Sequence, residues 1–358
     1  MAGDRKKGAV VLFNLGGPDG PDAVRPFLFN LFNDPAIITL PTPLRWLLAK
    51  LISKRRAPEA AAIYAEMGGR SPLLPLTEEQ AGALETKLNQ DDATTTWKTF
   101  VAMRYWHPFS GEAARAVKAF GADHVVLLPL YPQFSTTTTG SSIKDWMRAA
   151  RSAGVKVPTR AVCCYPEEDG FIDAVADLAL PLLADARQKA DAVRVLFSAH
   201  GLPKKIIAAG DPYQAQVERT AAAITRRLAE RGAAVDDGVV CYQSRVGPLE
   251  WIGPATDDEI RRAGRDGVGL VVVPIAFVSE HSETLVELDI EYGDLAKDAG
   301  VPVYNRVPAV ATHPRFIGAL ADLVRGAGAI KEGVAGRVGG ACAACEHFSK
   351  CPFGNQLG

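Results

Sequence analysis

Residues Gly269-Leu270-Val271-Val272-Val273-Pro274 carry no polar side chain. A strand that is apolar at every position has to be covered on both faces, and strands of that kind belong to parallel sheets. Parallel neighbours are joined by crossovers of a dozen or more residues, usually helices. The chain supplies this alternation. Strand signals fall at 8–15, 98–105, 125–130, 158–164, 193–197, 239–243 and 268–277, the last containing the run itself. Apolar spacings of three and four fall between them at 22–31, 77–88, 111–120, 170–189 and 214–230, and Asp211-Pro212 and Gly232 bracket the last of these. The expected fold class is α/β, with two Rossmann-like doubly wound lobes of parallel strands; 358 residues leave room for about two domains. We expect an N-terminal lobe at 1–170, a second at 171–312, and a C-terminal helix and extension at 313–358. Ligands in such folds bind beyond the carboxyl ends of the strands.

Charge narrows the partners. Forty Lys and Arg stand against 41 Asp and Glu, without a long run of one sign, so nothing marks a nucleic-acid surface. The apolar stretch after the N-terminus, Ala9 to Phe13, is too short for a secretory signal. The best candidate for a membrane span, 36–52, is interrupted by Arg45 and Lys50. The chain is therefore expected to stay in the cytoplasm. Gly16-Gly17-Pro18-Asp19-Gly20 lacks the glycine spacing and acidic partner of a dinucleotide loop.

Polar loops follow two of the strands. Ser198-Ala199-His200-Gly201 sets a histidine between small residues that leave its ring accessible, for a metal or a proton, or simply as a hydrogen-bonded loop histidine. His281 and Glu283 follow the buried run, and Glu283, Glu287 and Glu291 recur at i, i+4 and i+8, which on an α-helix places them along one face. That stripe reads either as a solvated acidic face or as a relay for protons or a cation beginning at the mouth of a buried strand. A His at one strand end and a His-x-Glu at another suit a loosely held divalent metal. Tyr105, Trp106, Tyr131, Phe134, Tyr242, Trp251 and Phe277 cluster near strand ends, as core or as the rim for a flat apolar ligand, with Arg104 to meet its acidic substituents.

Six cysteines in a reducing compartment are not read as three disulfides. Cys163 and Cys164 are adjacent, Cys241 sits in an apolar strand, and Cys342, Cys345 and Cys351 crowd the C-terminus as a ligand set would.

Val11-Leu12-Phe13-Asn14-Leu15-Gly16-Gly17-Pro18, Leu130-Tyr131-Pro132-Gln133-Phe134-Ser135 with the 136–142 loop, Phe197-Ser198-Ala199-His200-Gly201-Leu202-Pro203, Tyr242-Gln243-Ser244-Arg245 and Pro274-Ile275-Ala276-Phe277-Val278-Ser279-Glu280-His281-Ser282-Glu283 together resemble the ferrochelatase family over about residues 9–315. The resemblance implies insertion of ferrous iron into protoporphyrin IX to give protohaem, in a cleft between the two lobes. It implies His200 as proton acceptor or metal ligand and Glu283 as its carboxylate partner. His281 and Glu287 join them as catalytic positions, with Glu291 continuing an acidic path on a helix wider than α. Leu15, Arg104, Tyr105, Trp251 and Phe277 are implied as substrate contacts.

The segment 37–56 resembles the family's cleft lip. Trp46, Leu47, Leu48, Leu51 and Ile52 followed by Lys54, Arg55 and Arg56 are what an interfacial anchor needs, so peripheral contact with the inner face of the cytoplasmic membrane is expected. Some members carry a [2Fe–2S] cluster and form homodimers. Cys342, Cys345 and Cys351 would supply three ligands and Cys163 or Cys164 the fourth, because Thr136 stands where animal relatives place theirs. On strand alternation only one of that pair faces a given side. Zinc is the rival for the same thiolates. Arg70 replaces a glycine common in the family's 66–72 loop. Competing readings are a coproporphyrin or cobalt chelatase, and a non-catalytic tetrapyrrole or iron carrier, which would need neither His200 nor Glu283.

Overall fold

Val10, Val11 and Leu12 are fully buried in the centre of β1 (Lys6–Asn14), and every residue of β7 (Gly269–Pro274) is buried as well. These two strands sit inside two separate parallel sheets. Burying each such Val or Leu side chain contributes about 1.5–3 kcal/mol, so the continuous apolar runs alone select a two-sided environment. The computed structural model describes residues 5–245, 247, 249–329 and 334–335, and the chain divides into one unit of 1–164 with 320–358 and another of 165–319.

In the first unit β1 is joined by β2 (Thr95–Met103), β3 (His124–Pro129), β4 (Thr159–Val162) and the two-residue β9 (Val334–Ala335). The order is β2-β1-β3-β4-β9, all parallel. In the second unit β5 (Val193–His200), β6 (Gly238–Gln243), β7 and β8 (Tyr304–Arg306) pair in the order β6-β5-β7-β8, again all parallel. Each unit thus begins in an inner strand, adds the second on one side and the rest on the other. Parallel crossovers are right-handed almost without exception, so this reversal of direction implies helices on both faces and a doubly wound sheet, as expected. The reversal falls between β1 and β3 in one unit and between β5 and β7 in the other.

Several boundaries differ from expectation. Strand β7 stops at Pro274 rather than 277, and β4 covers only Thr159–Val162. The segment 136–142, read as a loop, turns into the helix Thr139–Ala153 at its midpoint, because Gly140, Ser141 and Ser142 are buried and tertiary packing overrides their loop-forming tendency. The helix Thr256–Asp266 and the short strand β8 gave no usable signal. That helix has only Ile260 and Ala263 as buried apolar residues, and its first turn holds Asp257, Asp258 and Glu259. Gly267 ends it at φ 67°, the left-handed region glycine tolerates, and feeds the chain into β7.

Candidate active site

Strand β5 ends at His200, whose register partner is Gln243 at the end of β6. Both lie at the carboxyl edge, beside the point where the strand order reverses. The His200 Nδ1 lies 2.6 Å from the Gly201 carbonyl oxygen. A carbonyl only accepts, so Nδ1 carries the hydrogen and Nε2 presents its lone pair. The Tyr213 hydroxyl bonds the His200 backbone, and a Cβ on Gly201 would stand 3.3 Å from the Trp251 indole, so Trp251 packs against this loop.

The chain leaves β7 and returns through Phe277 and His281 into the short helix Ser282–Leu285. There Glu283 meets two histidines: Oε1 is 3.7 Å from His200 Nε2 and Oε2 is 3.7 Å from His281 Nε2. Burial pushes the Glu283 carboxyl up, but His200 and His281 beside it outweigh that and hold it below the ordinary range. The Phe277 ring lies 4.6 Å from the His281 ring, whose Nδ1 is buried without a hydrogen-bond partner. The structure therefore gathers His200, Glu283, His281, Phe277 and Trp251 within the second unit.

The acidic stripe is not a regular α-helical face. Residues Glu287–Glu291 form a π-helical turn in which the Glu291 amide donates to the Val286 carbonyl at 2.9 Å, five residues back. The extra residue per turn rotates later side chains out of line. Glu287 turns onto the end of β6 and Glu291 is exposed. Four donors reach the Glu287 carboxylate: the Ser244 amide (2.8 Å), the Ser244 hydroxyl, Gln243 Nε2 (3.0 Å) and the Tyr292 hydroxyl (3.0 Å). Ser244 adopts φ 62° to aim both of its groups, a strained conformation for a non-glycine residue. Gln243 also donates to the Glu283 carbonyl at 2.8 Å and accepts from Ser198 at 2.8 Å. Sequence reasoning assigned no role to Gln243, Ser244 or Tyr292. The signal was present, since the first two lie in a quoted motif, but amides and hydroxyls acquire meaning only when their acceptors are known.

The first unit forms its own polar cluster at the reversal of its sheet. Leu15, just past β1, bonds the Tyr105 amide through its carbonyl at 2.9 Å. The next residue, Gly16, takes φ 86°, and a Cβ on Gly17 would overlap the Ser71 side chain, so the glycine pair answers to backbone geometry. Arg104 and Tyr105 follow β2 and both contact Asp34: Arg104 Nη2 at 2.8 Å and the Tyr105 hydroxyl at 2.8 Å. Burial, with the Asp34 charge next in weight, pushes the Tyr105 phenol well above its ordinary range, so it stays a hydrogen-bond donor. Asp34 was another residue the sequence left unnoticed.

Lip residues lie on the helix Thr42–Ala65, which exposes Leu44, Trp46, Leu47 and Leu51 to 58, 46, 61 and 64%. Lys50, Lys54 and Arg55 are exposed beside them, and so is Arg70 in its loop. Among the described residues no helix is long and apolar enough to cross a membrane.

Cys342, Cys345 and Cys351 lie outside the described residues, and no three described His, Cys, Asp or Glu side chains are placed to hold a metal. Cys163 and Cys164 are both buried in one apolar cluster of the first unit. They lie beyond the end of β4, where strand alternation no longer operates, so it does not separate them as expected. Strand β9 pairs Ala335 with Val162 and so brings the chain next to these thiols seven residues before Cys342. Cys241 is wholly buried, accepts from the Thr256 hydroxyl at 3.3 Å, and its thiol is pushed up to about 12 by burial.

Both units are doubly wound α/β layers that share the order second-first-third-fourth, and the first unit adds β9 at its edge. The solved structure of SirB from Bacillus subtilis with Fe3+ superposes with a TM-score of 0.51, covering 90% of this chain and 96% of that one at 14% identity. At that identity the likeness concerns the fold. A family model described as Ferrochelatase matches residues 7–327. The ferrochelatase of Phenylobacterium zucineum is 59% identical over 319 residues, covering 89% of this chain and 91% of the relative. That of Caulobacter vibrioides (strain NA1000 / CB15N) is 56% identical over 351 residues, 97% of each. The chain belongs to the ferrochelatase family.

Proposed function

We propose that this protein inserts ferrous iron into protoporphyrin IX, yielding protohaem and two protons, the terminal step of haem synthesis. The observation that carries the mechanism is the Glu283 carboxylate between two imidazoles, one of which, His200, offers a free Nε2 lone pair. Pyrrole N–H bonds break as iron, the substrate metal, enters, and each proton needs an acceptor. His200 Nε2 takes it, and the resulting imidazolium is stabilised by Glu283. Glu287, held by donors from Gln243, Ser244 and Tyr292, lies beyond Glu283 in the chain and continues the polar route. His281 fixes the second oxygen of Glu283. Leu15, Arg104, Trp251 and Phe277 are assigned as contacts for the porphyrin, a flat apolar ligand with acidic edges, while Tyr105 is 1% exposed and commits its hydroxyl to Asp34.

Anaerobic addition of ferrous iron and protoporphyrin IX tests this through the Soret change of haem formation. Turnover lost in His200→Ala with porphyrin binding retained supports the assignment; undiminished turnover removes it. Porphyrin bound by the native protein without any insertion makes the chain a carrier.

We further infer that Cys342, Cys345 and Cys351, with Cys163 or Cys164, hold a [2Fe–2S] cluster. Seven residues of extended chain reach about 24 Å, ample to carry Cys342 from Ala335 back to Cys163. The cluster would add a redox-sensitive, soft-ligand centre to the first unit, and no insertion step is routed through it. Visible absorption that vanishes in Cys345→Ser supports it, whereas a colourless protein containing zinc assigns the thiolates to zinc. The exposed leucines and Trp46 beside Lys50, Lys54 and Arg55 support peripheral contact with an anionic membrane. A homodimer is read from the cluster-bearing members alone and is tested by sedimentation.

A further inference from the structure

Asp34 is a buried carboxylate that the proposed chemistry does not use, 3% exposed and placed just after the helix Val24–Phe32. Its Oδ1 accepts from the Ala36 amide at 2.8 Å. Its Oδ2 receives the Tyr105 hydroxyl at 2.8 Å, the Ser141 hydroxyl, and Arg104 Nη2 at 2.8 Å. Arg104 is gripped a second time, because its Nε donates to Ser141 Oγ at 2.7 Å. The guanidinium lies 5.0 Å from the centroid of the Tyr105 ring. Nε and Nη2 are thus committed, while Nη1 takes no partner among the described residues and is not buried.

We propose that Asp34 is the positioning residue for Arg104: with Ser141 it locks the plane of the guanidinium so that Nη1 is the one donor edge left for the substrate. The proposal rests on the reading of Arg104 as a porphyrin contact and adds what makes that contact selective. A free arginine side chain samples many rotamers and loses that freedom when it is held in one geometry. Here two of its three nitrogens are fixed before any ligand arrives, so that freedom is lost in folding. Asp34 also cancels the charge of Arg104. The remaining Nη1 therefore recognises an acceptor by direction and distance more than by net attraction, which favours a ligand whose acidic edge sits at one place over any passing anion. The Asp34 carbonyl accepts from the Ile37 and Ile38 amides at 3.0 and 2.9 Å. One residue thus ties Arg104 to the root of the exposed apolar segment.

The test is a double-mutant cycle in the full chain, read as KM for protoporphyrin IX against kcat. Arg104→Leu is expected to raise KM about 10-fold or more, the scale of a lost hydrogen bond to a charged group. Asp34→Asn is expected to raise KM by a similar factor with kcat within about twofold, and the double variant to be no worse than Arg104→Leu alone. Ser141→Ala, a smaller change that decides the matter if Asp34→Asn does not fold, raises KM severalfold and has no effect once Arg104 is gone. An unchanged KM in Arg104→Leu removes Arg104 as a substrate contact and this proposal with it. A raised KM there, together with native-like KM in Asp34→Asn and Ser141→Ala or with additive losses in the double variants, keeps the contact and overturns the positioning role.

Discussion

His200 Nε2 stands 3.7 Å from Glu283 Oε1, and the opposite ring nitrogen is engaged by the Gly201 carbonyl at 2.6 Å. The imidazole is thus held in one tautomer with its basic nitrogen beside a carboxylate. Removing either group deletes the proton acceptor or the charge that stabilises its protonated form. His200→Ala and Glu283→Gln are each expected to lower kcat by about 10²–10⁴. Porphyrin affinity followed by fluorescence quenching should stay near native in both. A loss confined to affinity would reassign these residues to binding.

Gln243 joins β5, β6 and the π-helical turn, through Ser198, its own strand, and Glu283 with Glu287. Gln243→Leu leaves those groups short of partners beside a side chain that is only 1% exposed. A loss of about 1–3 kcal/mol is expected, measured as a lower urea midpoint at unchanged slope. Ser244→Ala, which keeps the backbone donor to Glu287, should lose less.

Glu280 links the segment after β7 to Arg306 (2.6 Å) and to the Ala309 amide (2.9 Å). Burial raises its carboxyl, but Arg306 and the hydrogen bonds outweigh that and leave it lowered. A carboxyl lowered in the folded state adds stability that is fully present above its unfolded value, about 4.3, and lost as pH falls through the lower folded value. Thermal midpoints should therefore drop on the acid side. Glu280→Gln should start from a lower midpoint at pH 7 and show a shallower fall; a parallel fall would assign the acid sensitivity to other groups.

Leu47 and Leu51 are the most exposed large apolar side chains of their helix. Replacing both with Glu removes buried area at an interface and adds repulsion from anionic lipid, so co-sedimentation with anionic vesicles should fall at least tenfold. The melting temperature should hold, since surface substitutions of this kind stay within about 0.5 kcal/mol.

Cys241, its thiol raised to about 12 and wholly buried, is both protonated and shielded in the native protein at pH 8. Iodoacetamide should label it only after unfolding, as peptide mass mapping would reveal. Labelling in the native state would mean that β6 opens locally.

The runs at Val10-Val11-Leu12 and Val271-Val272-Val273 announced two-sided burial, and the helical spacings between strands announced the crossovers, so the doubly wound class was legible. The sequence placed His200, His281 and Glu283 at two strand ends but left a hydrogen-bonded loop histidine and a solvated acidic face equally open; the fold is what brings the three side chains together. The helix Thr256–Asp266 was not legible, since its buried face is only a few residues wide. The π-helical turn was not visible in the spacing of its acids, which fits an α-helix equally well; the family resemblance alone implied a helix wider than α, and the structure has it.

What the sequence by itself determined is therefore the element type wherever burial is continuous, and the chemical kind of the groups at the strand ends. Only the tertiary structure decided that Glu287 turns to Ser244 and Gln243 while Glu291 faces solvent, and that Asp34 takes hold of Arg104 some seventy residues away along the chain. Hydrophobic pattern is a local property that a window of residues can carry. Polar partnership depends on which distant donor arrives at which acceptor, and that is known only once the strands have taken their order.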